Sequence, residues 1–168
     1  MDAVFSAVGL DRRRFGDGDQ LVALQDVSRL LEQAVAATDC QRLPFYLAEN
    51  QDLAYLGTFG LLLQTSGTVG EMLREIQDYH QIHIQAATWT LTTTGRTASL
   101  NFWVDVQDIT PLQRRLVVEL ALAQASKFVE ALVGSSTCLE KVRVHYDFAA
   151  GRQAYRRFFT PRWNITQS

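Results

Sequence analysis

The chain has 168 residues, of which 47% are hydrophobic and 20% charged, with a formal net charge of −2. That length and balance fit one soluble globular domain over residues 1–168 with a real core. A slightly acidic chain excludes general nucleic-acid affinity, and the lack of a long uninterrupted apolar run excludes a membrane-spanning helix.

Asp2 to Leu10 is expected as a short helix with Ala3, Val4, Ala7 and Val8 on one side, ended by Gly9. Its start has no basic region and no long apolar run, so no signal peptide is expected and the cytoplasm is the default compartment. Arg12 to Asp19 holds Gly16 and Gly18 and reads as a connector. Leu21 to Ala37 places Leu24, Val27, Leu30, Leu31, Ala34 and Val35 in one stripe, which predicts a helix closed at Thr38-Asp39. Pro44 to Ala48 predicts a short helical turn.

Leu53 to Gln64 is apolar on most sides and predicts a helix, with Gly57 and Gly60 inside it. Glycines at that spacing point to a close approach of another element, or to room for a bound group. Thr68-Val69-Gly70-Glu71 has the spacing of a capping box. The stripe Val69, Met72, Leu73, Ile76 and Tyr79 predicts an amphipathic helix behind it.

The period then changes to two. Ala87, Trp89 and Leu91 alternate with Thr88, Thr90 and Thr92. After Thr94-Gly95-Arg96, the residues Ala98, Leu100, Phe102, Val104 and Val106 alternate with Ser99, Asn101, Trp103 and Asp105. Two such runs around a glycine-bearing turn predict an antiparallel hairpin. Thr110-Pro111 opens a long helix that Gly134 ends. It is apolar almost all round, with a thin polar face at Arg115, Glu119, Ser126 and Glu130. Such a helix is either buried inside its own chain or shared with a second one. Val117, Leu120 and Gln124 are the candidate dimerisation residues in the second case.

Lys141 to Asp147 alternates and predicts a third strand. Arg152 to Phe159 predicts a short helix, and Pro161 to Thr166 a final strand carrying Trp163. The fold class is therefore α+β, with five or six helices around a small antiparallel sheet of three or four strands.

Catalytic chemistry has little to stand on. No nucleophile elbow, phosphate loop, dinucleotide fingerprint or zinc-protease pattern occurs. Asp105 and Asp108 suit capping of the helix from Pro111 better than acid catalysis. Cys40 and Cys138 fit no metal or redox spacing and are expected as buried free thiols. His80 and His83 lie three apart at a helix end but lack further ligands, so neither a metal site nor a haem or other cofactor is expected. Arg12-Arg13-Arg14, Arg114-Arg115 and Arg156-Arg157 read as solvated surface. No enzyme is expected.

The remaining feature is aromatic. Tyr55, Phe59, Tyr79, Trp89 and Trp103, with His83 and His145, belong to elements around the hairpin. They form either plain core or an apolar pocket edged by a few polar groups, which is what a small-molecule site requires.

The order of these stretches resembles a known family. The residues that carry the resemblance are Gly9-Leu10-Asp11, the helix Leu24 to Thr38, and Tyr55-Leu56-Gly57-Thr58-Phe59-Gly60-Leu61-Leu62-Leu63-Gln64-Thr65-Ser66. Thr68 to Leu73 follow with Tyr79-His80, the hairpin, the helix from Pro111, and Ala154-Tyr155-Arg156-Arg157-Phe158-Phe159. Together they resemble the N-terminal effector domain of AraC/XylS-type bacterial transcription regulators, in the branch labelled arabinose-binding. The resemblance implies a domain that senses a small-molecule effector and forms a homodimer. It implies that DNA is reached only through a separate helix-turn-helix domain. After Phe159 nine residues remain, so that domain is not expected in this chain. The aromatic pocket lacks the acids and amides that many sugar hydroxyls demand, so an apolar or aromatic effector is expected. Without such a ligand, the reading becomes a pure interaction module; a haem or metal sensor on His80, His83 or His145 is the other alternative.

Overall fold

The computed structural model describes residues 2–13, 21–134, 140–146, 155, 158–159 and 164–167, with side chains for all of these except 2 and 164–167. The helices are α1 (Asp2–Ala7), α2 (Leu24–Thr38), α3 (Leu43–Glu49), α4 (Thr58–Thr65), α5 (Val69–Tyr79) and α6 (Pro111–Val133). Strands β1 (Ala87–Thr94) and β2 (Thr97–Val104) form the hairpin, and β3 (Lys141–Val144) and β4 (Asn164–Gln167) lie near the C-terminal end. Single 3-10 turns occupy Leu53–Leu56 and His80–Ile82. The α+β class expected from the sequence holds.

The central helix is α6. Its side chains are apolar around most of its circumference, and three hydrophobic clusters draw on it. Phe128 and Val129 join Leu56, Phe59, Leu63, Met72, Leu73, Ile76 and Trp89. Ala123 joins Phe45, Ala48, Val142, Val144, Tyr155 and Phe159. Leu116 and Val117 join Leu31, Val35, Val104 and Val106. Much of this helix is covered by the chain's own elements. Helices α2, α3 and α5 and strand β2 all pack against it.

Helix ends follow the local sequence. Thr110 Oγ1 accepts from Gln113 N and Gln113 Oε1 accepts from Thr110 N, both at 3.1 Å, a full capping box. Thr110 therefore caps α6, not Asp105 or Asp108. Asp105 instead accepts from the Thr88 hydroxyl at 2.5 Å, across the hairpin. At α5, Thr68 Oγ1 accepts from Glu71 N at 3.1 Å. Glu71 reaches one residue further back than a capping box does, accepting from Gly67 N at 2.9 Å. The left-handed Gly134 (φ 71°) closes α6.

The expected single helix over Leu53–Gln64 is broken. Gly57 takes φ 57° and ψ −132°, which separates the first 3-10 turn from α4. Only glycine adopts that conformation cheaply. Asp52 fixes the start of the turn by accepting from Ala54 N at 2.9 Å. Gly60 then lies so close to the turn that a Cβ there would fall 1.8 Å from the Leu53 carbonyl oxygen. Its small size serves close packing within this corner.

The strands pair two by two and do not join in one antiparallel sheet. β1 and β2 are antiparallel, with Ala87 opposite Val104, Trp89 opposite Phe102 and Leu91 opposite Leu100 on the core side. β3 and β4 are parallel, with Val142 opposite Ile165. Alternation marks which face of a strand is buried but carries no information on its direction. The outer face of the hairpin is a ladder of Thr88, Thr90, Thr92, Thr94, Thr97, Ser99 and Asn101 that ends on Trp103.

The expectation of solvated basic pairs fails at Arg114-Arg115. Arg114 donates to the carbonyls of Val104 and Val106, each at 2.5 Å, and so ties α6 to the exit of β2. Arg115 is 12% exposed and faces Glu119. Cys40 is a half-buried free thiol. Arg14, Gly16, Gly18, Cys138, Arg152, Ala154, Arg156, Arg157, Pro161 and Trp163 lie outside the described residues.

Candidate functional site

The aromatic candidates divide among several places. Tyr55, on the first 3-10 turn, meets the His83 ring edge-on at 5.8 Å and the Phe128 ring at 6.3 Å. Phe59, on α4, stacks with His83 at 6.4 Å. Three of the expected residues thus meet, and Phe128 of α6 completes the group. Trp89 is buried and packs on Phe102 at 4.5 Å as ordinary core. Tyr79 is 47% exposed at the end of α5. Trp103 is 54% exposed and stacks on His145 at 6.2 Å, where the end of β2 meets the end of β3.

Of the candidates for dimerisation, one is buried and two, Leu120 and Gln124, are half-buried. Val117 is buried, and Leu120 packs against two of the three clusters. Gln124 belongs to the Tyr55 group. Its Nε2 donates to Gln51 Oε1 at 2.6 Å, and it also bonds the Tyr55 hydroxyl. Burial pushes the Tyr55 phenol pKa up, and the Gln124 bond partly offsets this. His83 is exposed at its outer edge, but its ring lies against two aromatics, and that burial pushes its pKa below the ordinary imidazole range.

Beside this group a cleft of about 390 Å³ runs between the first 3-10 turn, α4 and the last turns of α6. Leu53, Leu63, Phe128, Ala131 and Leu132 make its apolar wall; Gln51, Asp52, Gln64 and Lys127 make its rim. That volume is at the lower end of the range for small-molecule sites. Lys127 is half-exposed and pairs with Glu130 at 2.6 Å, so the positive charge on the rim is already balanced. A larger hollow of about 710 Å³ is lined by Phe5 to Arg13 alone, with no second described element to close it.

Sequence reading did not single out Gln51, Gln64, Lys127 or Ala131. Their signal is weak: Asp52 before Leu53 marks a turn start, and Lys127 is the one lysine of α6. The cleft exists because Gly57 breaks the apolar run and turns α4 back beside α6.

His80 serves the framework. Its Nδ1 lies 3.1 Å from the Ile76 carbonyl and 2.9 Å from that of Gln77, and its Nε2 lies 3.1 Å from Ala87 O. The ring bridges the end of α5 to the start of β1. Gln77 adds a second bridge by accepting from Leu91 N at 2.7 Å. Among the described residues no three His, Cys, Asp or Glu side chains come together as metal ligands, and no helix is long and apolar enough to cross a membrane.

A second polar group lies on another side of α6. Glu119 is 1% exposed, and Oε1 accepts from the Tyr155 hydroxyl. Arg115 Nε lies 3.5 Å from the same oxygen. Glu119 Oε2 has no hydrogen-bond partner among the described residues. The Tyr146 hydroxyl is buried beside that of Tyr155, without good hydrogen-bond geometry to any described group. Desolvation pushes the Glu119 carboxyl up to about 7, against the opposing pull of Tyr155 and Arg115.

The chain forms an α+β domain with a small cleft beside its central helix. The chain belongs to the family of N-terminal arabinose-binding domains of AraC transcription regulators, whose family model matches residues 1–164. It is similar to the HTH-type transcriptional regulator VirS of Mycobacterium tuberculosis, from strains CDC 1551 / Oshkosh and ATCC 25618 / H37Rv. In each case the identity is 29% over 119 residues, which is 69% of this chain and 34% of the relative. The chain thus spans about a third of the length of those relatives.

Proposed function

We propose that this domain senses a small apolar or aromatic molecule in the cleft beside Phe128, and self-associates, as part of a bacterial cytoplasmic transcription regulator that meets DNA through a separate domain. The observation that carries the reading is the cleft itself. It has one apolar wall, a polar rim and a neighbouring group of Tyr55, Phe59 and His83, all set against the central helix. A ligand there touches α4 and α6 at once, and differential contact with two arrangements of these helices is what shifts a population. Lys127 offers a partner to an aromatic acid, provided the acid displaces Glu130. Nothing in the cleft calls for bond-breaking chemistry.

The test is thermal denaturation against a panel of aromatic acids, fatty acids and pentoses. A binder present at about a hundred times its Kd raises Tm by about 5–10 °C for a chain of this size. Ala131→Trp, which fills the cleft from its exposed edge, abolishes that shift. If no compound class shifts the wild-type chain, or the shift survives Ala131→Trp, the cleft is not the site. Sedimentation of the wild-type chain checks self-association separately.

A further inference from the structure

A two-stranded sheet has two outer edges, and the chain covers only one edge of this hairpin. Asp105 N donates to Ala86 O at 3.0 Å, which makes Ala86 and Asp105 a directly bonded pair. Bonded pairs alternate along an antiparallel ladder. The peptide groups of Ala87 and Leu91 therefore point away from β2, and those of Ala98, Leu100, Phe102 and Val104 point away from β1. On the β1 side, α5 and the 3-10 turn after it supply partners. Gln77 Oε1 accepts from Leu91 N at 2.7 Å, and His80 Nε2 lies 3.1 Å from Ala87 O. On the β2 side Arg114 takes the Val104 carbonyl, and there the cover stops. Among the described residues no group bonds the outward amides or carbonyls of Ala98, Leu100 and Phe102.

Nothing along β2 guards that edge. Thr97 to Val104 holds no charge and no proline, the usual means by which exposed edges are kept apart. Ser99 and Asn101 on the same strand are exposed. An antiparallel copy of the same strand fits the edge. With Leu100 on a two-fold axis, Leu100 faces its own counterpart, and Ala98 faces Phe102 of the second copy, a small side chain against a large one. The nearest charges flank the strand and differ in sign, Arg96 before it and Asp105 after it. Antiparallel pairing brings each start beside the other copy's end, so that Arg96 lies opposite Val104 of the second copy, next to Asp105. Parallel pairing would set like charges side by side instead. We propose that β2 is a self-recognition edge, through which two copies of this chain join from Ala98 to Phe102 into one four-stranded antiparallel sheet. This rests on the self-association proposed above and says where it occurs.

Sedimentation of the whole chain over a dilution series tests it, with circular dichroism as the check on folding. Ser99 and Asn101 fall directly opposite one another across the axis. Ser99→Lys with Asn101→Lys sets lysine against lysine twice and is expected to raise the dimer Kd about tenfold or more. Ser99→Glu with Asn101→Lys sets opposite charges there and is expected to keep the dimer. A wild-type chain that stays monomeric overturns both the edge and the self-association it rests on. A dimer that the two lysines leave intact, or that the Glu and Lys pair breaks equally, overturns the edge alone. Hydrogen exchange of the wild type gives a second reading that needs no variant. The amides of Leu100 and Phe102 are expected to gain protection with concentration, while those of Ser99 and Asn101, already bonded to β1, hold constant. Equal rates for Leu100 and Phe102 at every concentration overturn the edge.

Discussion

Gln124 Nε2 donates to Gln51 Oε1 at 2.6 Å, which ties the middle of the central helix to the loop that enters the first 3-10 turn. The same amide bonds the Tyr55 hydroxyl. Gln124→Leu keeps the volume and removes both bonds, leaving Gln51 and Tyr55 without their partner. The expected cost is about 1–2 kcal/mol in urea denaturation. Tyr55 absorbance should then titrate at still higher pH than in the wild type, since the bond that favoured its ionised form is gone.

Gly60 and Gly70 make a matched pair. Both are helical, yet a Cβ on Gly60 would meet the Leu53 carbonyl oxygen at 1.8 Å, and one on Gly70 meets nothing closer than 3.9 Å. Gly60→Ala forces the corner apart and is expected to cost about 3 kcal/mol or more. Gly70→Ala is expected to be neutral or to stabilise by up to about 1 kcal/mol through helix propensity. Thermal melts of the two variants read the difference, and equal effects would count against the packed corner.

Val117 and Leu112 lie on the same helix, but Val117 is 5% exposed and Leu112 is 36% exposed. A charge at Val117 enters an apolar cluster with no partner. Val117→Glu is therefore expected to unfold the chain, while Leu112→Glu leaves its circular dichroism unchanged. A folded, monomeric Val117→Glu protein would instead mark that face as an interface between chains.

Stability should depend on pH through Glu119. Its carboxyl is raised from the ordinary value to about 7, so the folded state holds a proton that the unfolded state has already released. The contribution is fully present below the unfolded pKa and is lost as pH rises through the folded one. The expected loss is about 3 kcal/mol between roughly pH 4.5 and pH 7. Urea midpoints across that range measure it, and Glu119→Gln should flatten the slope.

Local physics made much of this fold readable in advance. Amphipathic stripes gave α2 and α5, alternation gave the hairpin with Trp103 on its outer side, and Thr110-Pro111 with Gly134 marked both ends of α6. The failures share a cause. The break at Gly57 is a positive φ that glycine permits but does not require, the close approach of the Leu53 carbonyl to Gly60 appears only once the corner is folded, and the parallel pairing of β3 with β4 joins strands whose direction no side-chain pattern records. The Tyr155–Glu119 bond joins residues far apart in the chain, and Gln51 meets Gln124 across about twice that separation. Tyr55, Phe59 and His83 carry the ring chemistry of a site and do come together. Trp89, Tyr79 and Trp103 have the same chemistry, but their positions on the elements send them elsewhere.

The wrapping of α6 along most of its length has a consequence for how such chains diverge. A replacement almost anywhere along that axis disturbs neighbours from several directions, whereas the threonine ladder of the hairpin looks outward and answers to little. Over long descent, mutations should accumulate quickly on the ladder and slowly on the axis. Orthologues aligned on Thr110 to Gly134 would then resemble one another more closely than orthologues aligned on Thr88 to Trp103.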